Sequence, residues 1–240
     1  MKNLGPVNPK MNSKLYNKIE KLDYEEVKQL KYLVINNVMK IISEDIDYIS
    51  DTALDRILKN LNNVKIYKKR IGTIVSGEYK TKENIMVLNN LKSLNHECLH
   101  LMSSEYDPNI DTSYSGFRVT NHSKPAYKIN DRGMGFNEGY TQYCALKLGD
   151  QTNIYTYESK IAARLERIIG VDILRPLYYE HNLPKLIEEI EKRIGYEETN
   201  NIISGLDYLV YCRSSIYLQY ERSREITEKK KMINYSIKRI

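Results

Sequence analysis

Apolar residues recur at helical spacing through most of the chain, with one interruption. Val27, Leu30, Val34, Val38, Ile41 and Ile42 share one face of a helix expected to run from Asp23 to about Ile42. Asp23 and Glu26 are placed to act as a capping box at its start. Asp51 is expected to cap a second helix carrying Leu54, Ile57, Leu58 and Leu61. The period then shortens to two. Val64-Lys65-Ile66-Tyr67 alternates, as does much of Thr73 to Leu88, with Gly77 and the polar run Lys80 to Asn84 supplying turns. Two or three short strands are predicted.

Helical spacing returns from Leu91 to Ser103. Residues 104–136 carry loop signals, among them Asp107-Pro108-Asn109, Ser115-Gly116, Lys124-Pro125, Gly133 and Gly135, with room for a rim strand over Tyr114 to Thr120. A helix should start near Asn137 and reach about Leu148. Beyond it the pattern is helical. Ile161, Leu165, Ile168 and Ile169 form a stripe that ends at Gly170, and Leu183 to Ile194 form another that ends at Gly195. Ile202 to Tyr220 is apolar enough to pack, and the tail from Glu221 is charged. The expected organisation is a flexible arm over residues 1–22 and one domain over 23–240. In that domain a sheet and helix extend to about 105, and a helical part begins at about 137. The fold class is α+β.

One segment carries chemistry. In His96-Glu97-Cys98-Leu99-His100 the two histidines lie four apart, so a helix presents both imidazoles on one face to a single ion. Glu97 is rotated about 100° from His96 and is placed to reach a water rather than to ligate. Leu91, Leu94, Cys98 and Leu101 add an apolar stripe, so the segment reads as a helix docked in a core. A catalytic zinc takes three protein ligands and keeps one position for water. Glu138, in Phe136-Asn137-Glu138-Gly139-Tyr140-Thr141-Gln142, is the candidate third ligand. Cys98, turned roughly 160° from His96, reads as buried filler, as do Cys144 and Cys212.

The HExxH run at His96, Glu97 and His100, followed by Asn137, Glu138, Gly139 and Thr141, resembles the gluzincins, the thermolysin-like zinc metallopeptidases. Tyr114-Ser115-Gly116-Phe117 and the run around Glu138 are also similar to small zincin-like proteins of low-GC bacteria and phages. The resemblance implies a zincin-like fold: a small N-terminal sheet, the HExxH helix, a Glu helix packed beneath it and a helical C-terminal part. It implies zinc held by His96, His100 and Glu138, Glu97 as general base, and peptide-bond hydrolysis. Asn137, Thr141 and Gln142 would support the ligands. Gln142 stands where the family often has an acid, and its carbonyl would take a hydrogen bond from a ligand histidine. A tyrosine or histidine would stabilise the oxyanion. Tyr114 is favoured, with His122, Tyr127 and Tyr157 as the other choices. An edge strand would hold extended substrate, with Ile85 to Leu88 the candidate unless that strand is interior.

Composition narrows the picture slightly. Of 240 residues, 41% are hydrophobic and 28% charged, which suits a globular chain. Net charge is +6, but the excess is spread and no nucleic-acid motif accompanies it, so no nucleic-acid partner is expected. Three widely spaced cysteines imply no disulfide framework. Met1 to Lys21 has no apolar signal core, and no run is long enough to span a membrane, so a cytoplasmic location is expected. The expected partner is a peptide or protein substrate. The alternative is a zincin-fold binding or regulatory module without catalysis.

Overall fold

The computed structural model describes residues 24–68, 77–123, 131–213 and 222–238. The N-terminal arm, Asp23 and the Glu26 side chain of the expected capping box, Tyr127 and the start of the charged tail lie outside the described residues. The fold is α+β and mostly helical, with the small sheet on the N-terminal side and helices making the C-terminal part. Among the described residues no helix is long and apolar enough to cross a membrane.

Helix α1 (Tyr24–Asp45) buries Leu30, Val34, Val38 and Ile41 on one face, the stripe its spacing predicts. Helix α2 (Asp51–Asn63) buries Ala53, Ile57 and Leu61. Its cap is Ser50, one residue before the expected Asp51; the Ser50 hydroxyl accepts from Ala53 N at 3.3 Å.

Strands β1 (Lys65–Lys68), β2 (Gly77–Lys80) and β3 (Ile85–Leu88) form a sheet in the order β1-β3-β2. β3 pairs with β1 in parallel, Lys65 opposite Ile85, and with β2 in antiparallel, Gly77 opposite Leu88. β3 is therefore interior, with all four residues buried, and β1 and β2 are the two edges. The continuous apolar run Ile85-Met86-Val87-Leu88 is what burial on both faces requires.

Helix α3 (Leu94–Met102) follows a single 3-10 turn, Leu91–Ser93. The region expected to be loop-rich then proves to hold a second sheet. β4 (Ser104–Asp107), β5 (Thr112–Ser115), β6 (Arg118–Asn121) and β7 (Asp131–Arg132) pair antiparallel in chain order. The single rim strand foreseen over Tyr114 to Thr120 is two strands. Gly116, at φ +54, turns the chain between them, and Ser115 pairs with Arg118.

Helix α4 (Met134–Lys147) carries Glu138 and packs on α5 (Thr156–Ile169) so closely that a Cβ on Gly139 would lie 2.6 Å from the Glu158 carbonyl. Helices α6 (Val171–Tyr179), α7 (Leu183–Ile194), α8 (Tyr196–Arg213) and α9 (Ser223–Lys238) complete the domain. The stripes break at Gly170 (φ +102) and Gly195 (φ +86), the glycines marked as helix ends in the sequence. Phe117, Phe136, Tyr140 and Tyr178 form an aromatic core beneath α4, with Tyr140 and Tyr178 ring centres 5.3 Å apart. A buried polar hub joins the helices: Glu166 accepts from Tyr140, Tyr143 and Lys147, and Asp45 from Arg175 at 2.7 Å.

Candidate metal centre

Helix α3 is nine residues long, too short to hold its shape alone. Distant groups satisfy both ends. At the N-terminus Asp150 accepts from the backbone N–H of Asn95 (3.2 Å) and His96 (2.9 Å). At the C-terminus Asn60 donates to Leu101 O (3.1 Å) and Arg56 to Met102 O (3.3 Å). Every residue of the helix except Asn95 is buried, so its polar face points inward, at α4.

There His96, His100 and Glu138 converge. The two histidine Nε2 atoms are 3.0 Å apart. Glu138 Oε2 lies 3.3 Å from His96 Nε2 and 3.4 Å from His100 Nε2. Three donors held about 2.0–2.1 Å from one tetrahedral ion stand about 3.3 Å apart, which is the spacing seen. All three residues are buried. One proton satisfies one pair of these contacts and leaves the other lone pairs opposed; a cation satisfies all three. The cluster can hold a metal ion. Burial raises the Glu138 carboxyl, but His100 and His96 outweigh it and hold it well below the usual carboxylate range.

Glu97 is buried beside the cluster, and burial pushes its carboxyl up to about 7, with His96 pulling the other way. It fits because β2 opens with glycine: a Cβ on Gly77 would come 2.8 Å from Glu97 Cγ and 2.9 Å from its Oε1. A cavity of about 540 Å³ opens over the cluster, with β2 on one side and β5 and β6 on the other.

The residues expected to support the ligands have other duties. Asn137 Oδ1 accepts from Phe117 N at 3.0 Å, pinning α4 to the β5–β6 hairpin. Thr141 Oγ1 pairs with the Tyr178 hydroxyl at 2.8 Å. Gln142 donates to Thr152 O at 2.7 Å, and His96 Nδ1 is buried without a hydrogen-bond partner among the described residues. The expected bond from a ligand histidine to Gln142 is thus not formed at His96. At His100 the supporting group is Ser115, whose Oγ lies 3.4 Å from Nδ1 and leaves Nε2 to face the cluster.

Tyr114 stands apart from the cavity. Ser113 and Ser115 line the cavity, so the pleat turns Tyr114 to the opposite face of β5, where its ring lies 5.5 Å from His181. Tyr157 also points elsewhere, donating to Lys230 O at 3.0 Å. His122 lines the cavity, with Nε2 2.7 Å from Ser113 Oγ. The tyrosine beside the cluster is Tyr155. Its ring stacks on His96 (centres 6.0 Å apart, planes 13° apart), and the Arg213 guanidinium sits 5.1 Å from its centre. The Glu138 charge, then burial, holds its phenol well above the usual range, so the neutral hydroxyl is a donor. Sequence reading favoured Tyr114 and named Tyr157, two residues away, among the other choices; nothing in the Asn153-Ile154-Tyr155 run sets the facing of Tyr155. Asp150 was likewise missed; its bond to α3 spans 54 residues and leaves no local signature.

Cys98, Cys144 and Cys212 are buried free thiols, in line with the filler reading. Comparison of this chain with protein-family models, with curated proteins and with solved structures finds no match.

Proposed function

We propose that this chain is a zinc-dependent peptidase working by the gluzincin arrangement on a zincin-like fold. The observation that carries the reading is the meeting of His96, His100 and Glu138 at tetrahedral spacing, with the Glu97 carboxylate beside them and an open cavity above. Two imidazoles and one carboxylate oxygen are a donor set suited to zinc and unsuited to the oxygen cages of calcium and magnesium. Bound zinc would supply Lewis acidity to a water and to the substrate carbonyl. The residues do the rest. Glu97, the carboxylate beside the cluster, takes a proton from the water and returns it to the leaving amine. β2, the edge strand of its sheet that walls the cavity, offers backbone groups to an extended peptide.

Tyr155, rather than Tyr114, is the group assigned to the oxyanion. Its hydroxyl makes no hydrogen bond to a described residue and stands close enough to Glu138 to feel that charge most strongly. Tyr155→Phe is expected to lower kcat by roughly 10²-fold and leave metal content unchanged, the usual effect of losing one oxyanion donor. Steady-state kinetics with elemental analysis check it; a loss of zinc equal to the loss of activity would make Tyr155 a prop for His96.

The function itself is tested by elemental mass spectrometry of the purified chain and by digestion of a peptide library. About one zinc per chain is expected, with cleavages that a chelator abolishes and zinc restores. A second reading, a zinc-holding binding module without catalysis, is favoured by the neutral Gln142 and the unpartnered Nδ1 of His96, which leave that imidazole a weaker ligand. Zinc bound without cleavage across the library would select it.

A further inference from the structure

Neither helix that carries a metal-cluster residue caps its own N-terminus. Ser93 and Gly133 occupy the cap positions of α3 and α4, and neither makes a side-chain cap bond. At α4 the reason is plain. Gly133 sits at φ +75, whereas a Ser, Thr, Asn or Asp cap uses an extended backbone. The part is taken by Asp207, from the middle of α8. Its Oδ2 accepts from Gly133 N at 2.9 Å and its Oδ1 from Gly135 N at 2.7 Å. The contact is backbone to backbone: a Cβ on Gly135 would lie 2.2 Å from the Leu206 carbonyl carbon. Glu138 follows Gly135 by one helical turn.

Asp207 holds this place against burial, which pushes its carboxyl up to about 6 although both amides favour the charge. A carboxyl raised from 3.8 to about 6 by folding loses stability as pH rises through that window, so the charge brings no net stability at neutral pH. What the two bonds do secure is the position of the first turn of α4.

We propose that Asp207 is a positioning residue for the metal centre. By pinning the first turn of α4 to α8, it sets where the Glu138 carboxylate stands relative to His96 and His100. This makes α8 part of the site and not packing alone. The inference rests on the metal reading of those three residues.

Zinc affinity of the full chain, measured by competition with a chromophoric chelator, tests it. The set is wild type, Asp207→Asn, Asp207→Ala and Thr199→Ala. Thr199 is buried on the same helix, and among the described residues its hydroxyl bonds only to Gly195 O, so it controls for general loosening of α8. Asp207→Asn keeps an acceptor for one amide and relieves a buried charge, so it folds even where Asp207→Ala does not. The expected loss of affinity is about tenfold for Asp207→Asn and up to about 100-fold for Asp207→Ala, the range for groups that support a ligand. Thr199→Ala should match wild type. The absorption bands of the cobalt-loaded protein should also shift in the Asp207 variants alone. Affinities within about twofold of wild type for the folded Asp207 variants, or an equal loss in Thr199→Ala, would overturn the proposal while leaving the metal reading intact. A wild type that takes no zinc would overturn both.

Discussion

Glu97→Gln is expected to lower peptide hydrolysis by roughly 10³-fold while zinc stays bound, the scale of general-base loss. The substitution keeps the shape that Gly77 accommodates and removes only the ability to take a proton. It should not cost stability in the metal-free chain. There burial, and the neighbouring charges of Glu138, Glu78 and Asp150, oppose the Glu97 charge, and His96 favours it. A neutral amide escapes that opposition. The measurement is turnover on a cleaved library peptide, with metal content and thermal unfolding on the same preparation. Turnover near wild type would reject Glu97 as the base. Zinc lost together with activity would mean that the carboxylate serves the metal and not the water.

Glu138→Ala is expected to strip the metal. Structural zinc sites with four ligands are held by about 10–16 kcal/mol, or roughly 3–4 kcal/mol per ligand, so one missing carboxylate should weaken binding by about 10²–10³-fold. Two facing imidazoles would remain, 3.0 Å apart in a buried site with no anion between them and an ion. Elemental analysis of wild type and variant purified side by side checks this. A full zinc complement in the variant would move the third ligand elsewhere and remove the reason for calling the arrangement gluzincin-like.

The parts of this molecule that were legible in its sequence are those whose spacing is local. His96 and His100 share a face because a helix returns every four residues, and Leu30, Val34, Val38 and Ile41 are buried for the same reason. Ile85 to Leu88 announced a strand, but a continuous apolar run cannot say which neighbours it has, and β3 lies between β1 and β2. The second sheet was hidden by its composition. Thr112-Ser113-Tyr114-Ser115 and Arg118-Val119-Thr120-Asn121 lack apolar alternation, and Gly116 with its φ of +54 reads as readily as a loop. The supports of the site were hidden by distance. Asp150 reaches α3 across 54 residues and Asp207 reaches Gly133 across 74, with no periodicity to betray either bond.

The separation of these bonds along the chain has a consequence for synthesis on the ribosome. The histidine pair leaves the exit tunnel well before Glu138, and before the Asp150 that steadies its helix. Asp45 emerges early and waits 130 residues for Arg175 before its buried charge is matched. A half-made chain therefore displays two imidazoles on a nine-residue helix without the partners that give it shape. The centre comes together only once Asp150 and Asp207 have emerged, so a chain cut before them is without the completed site.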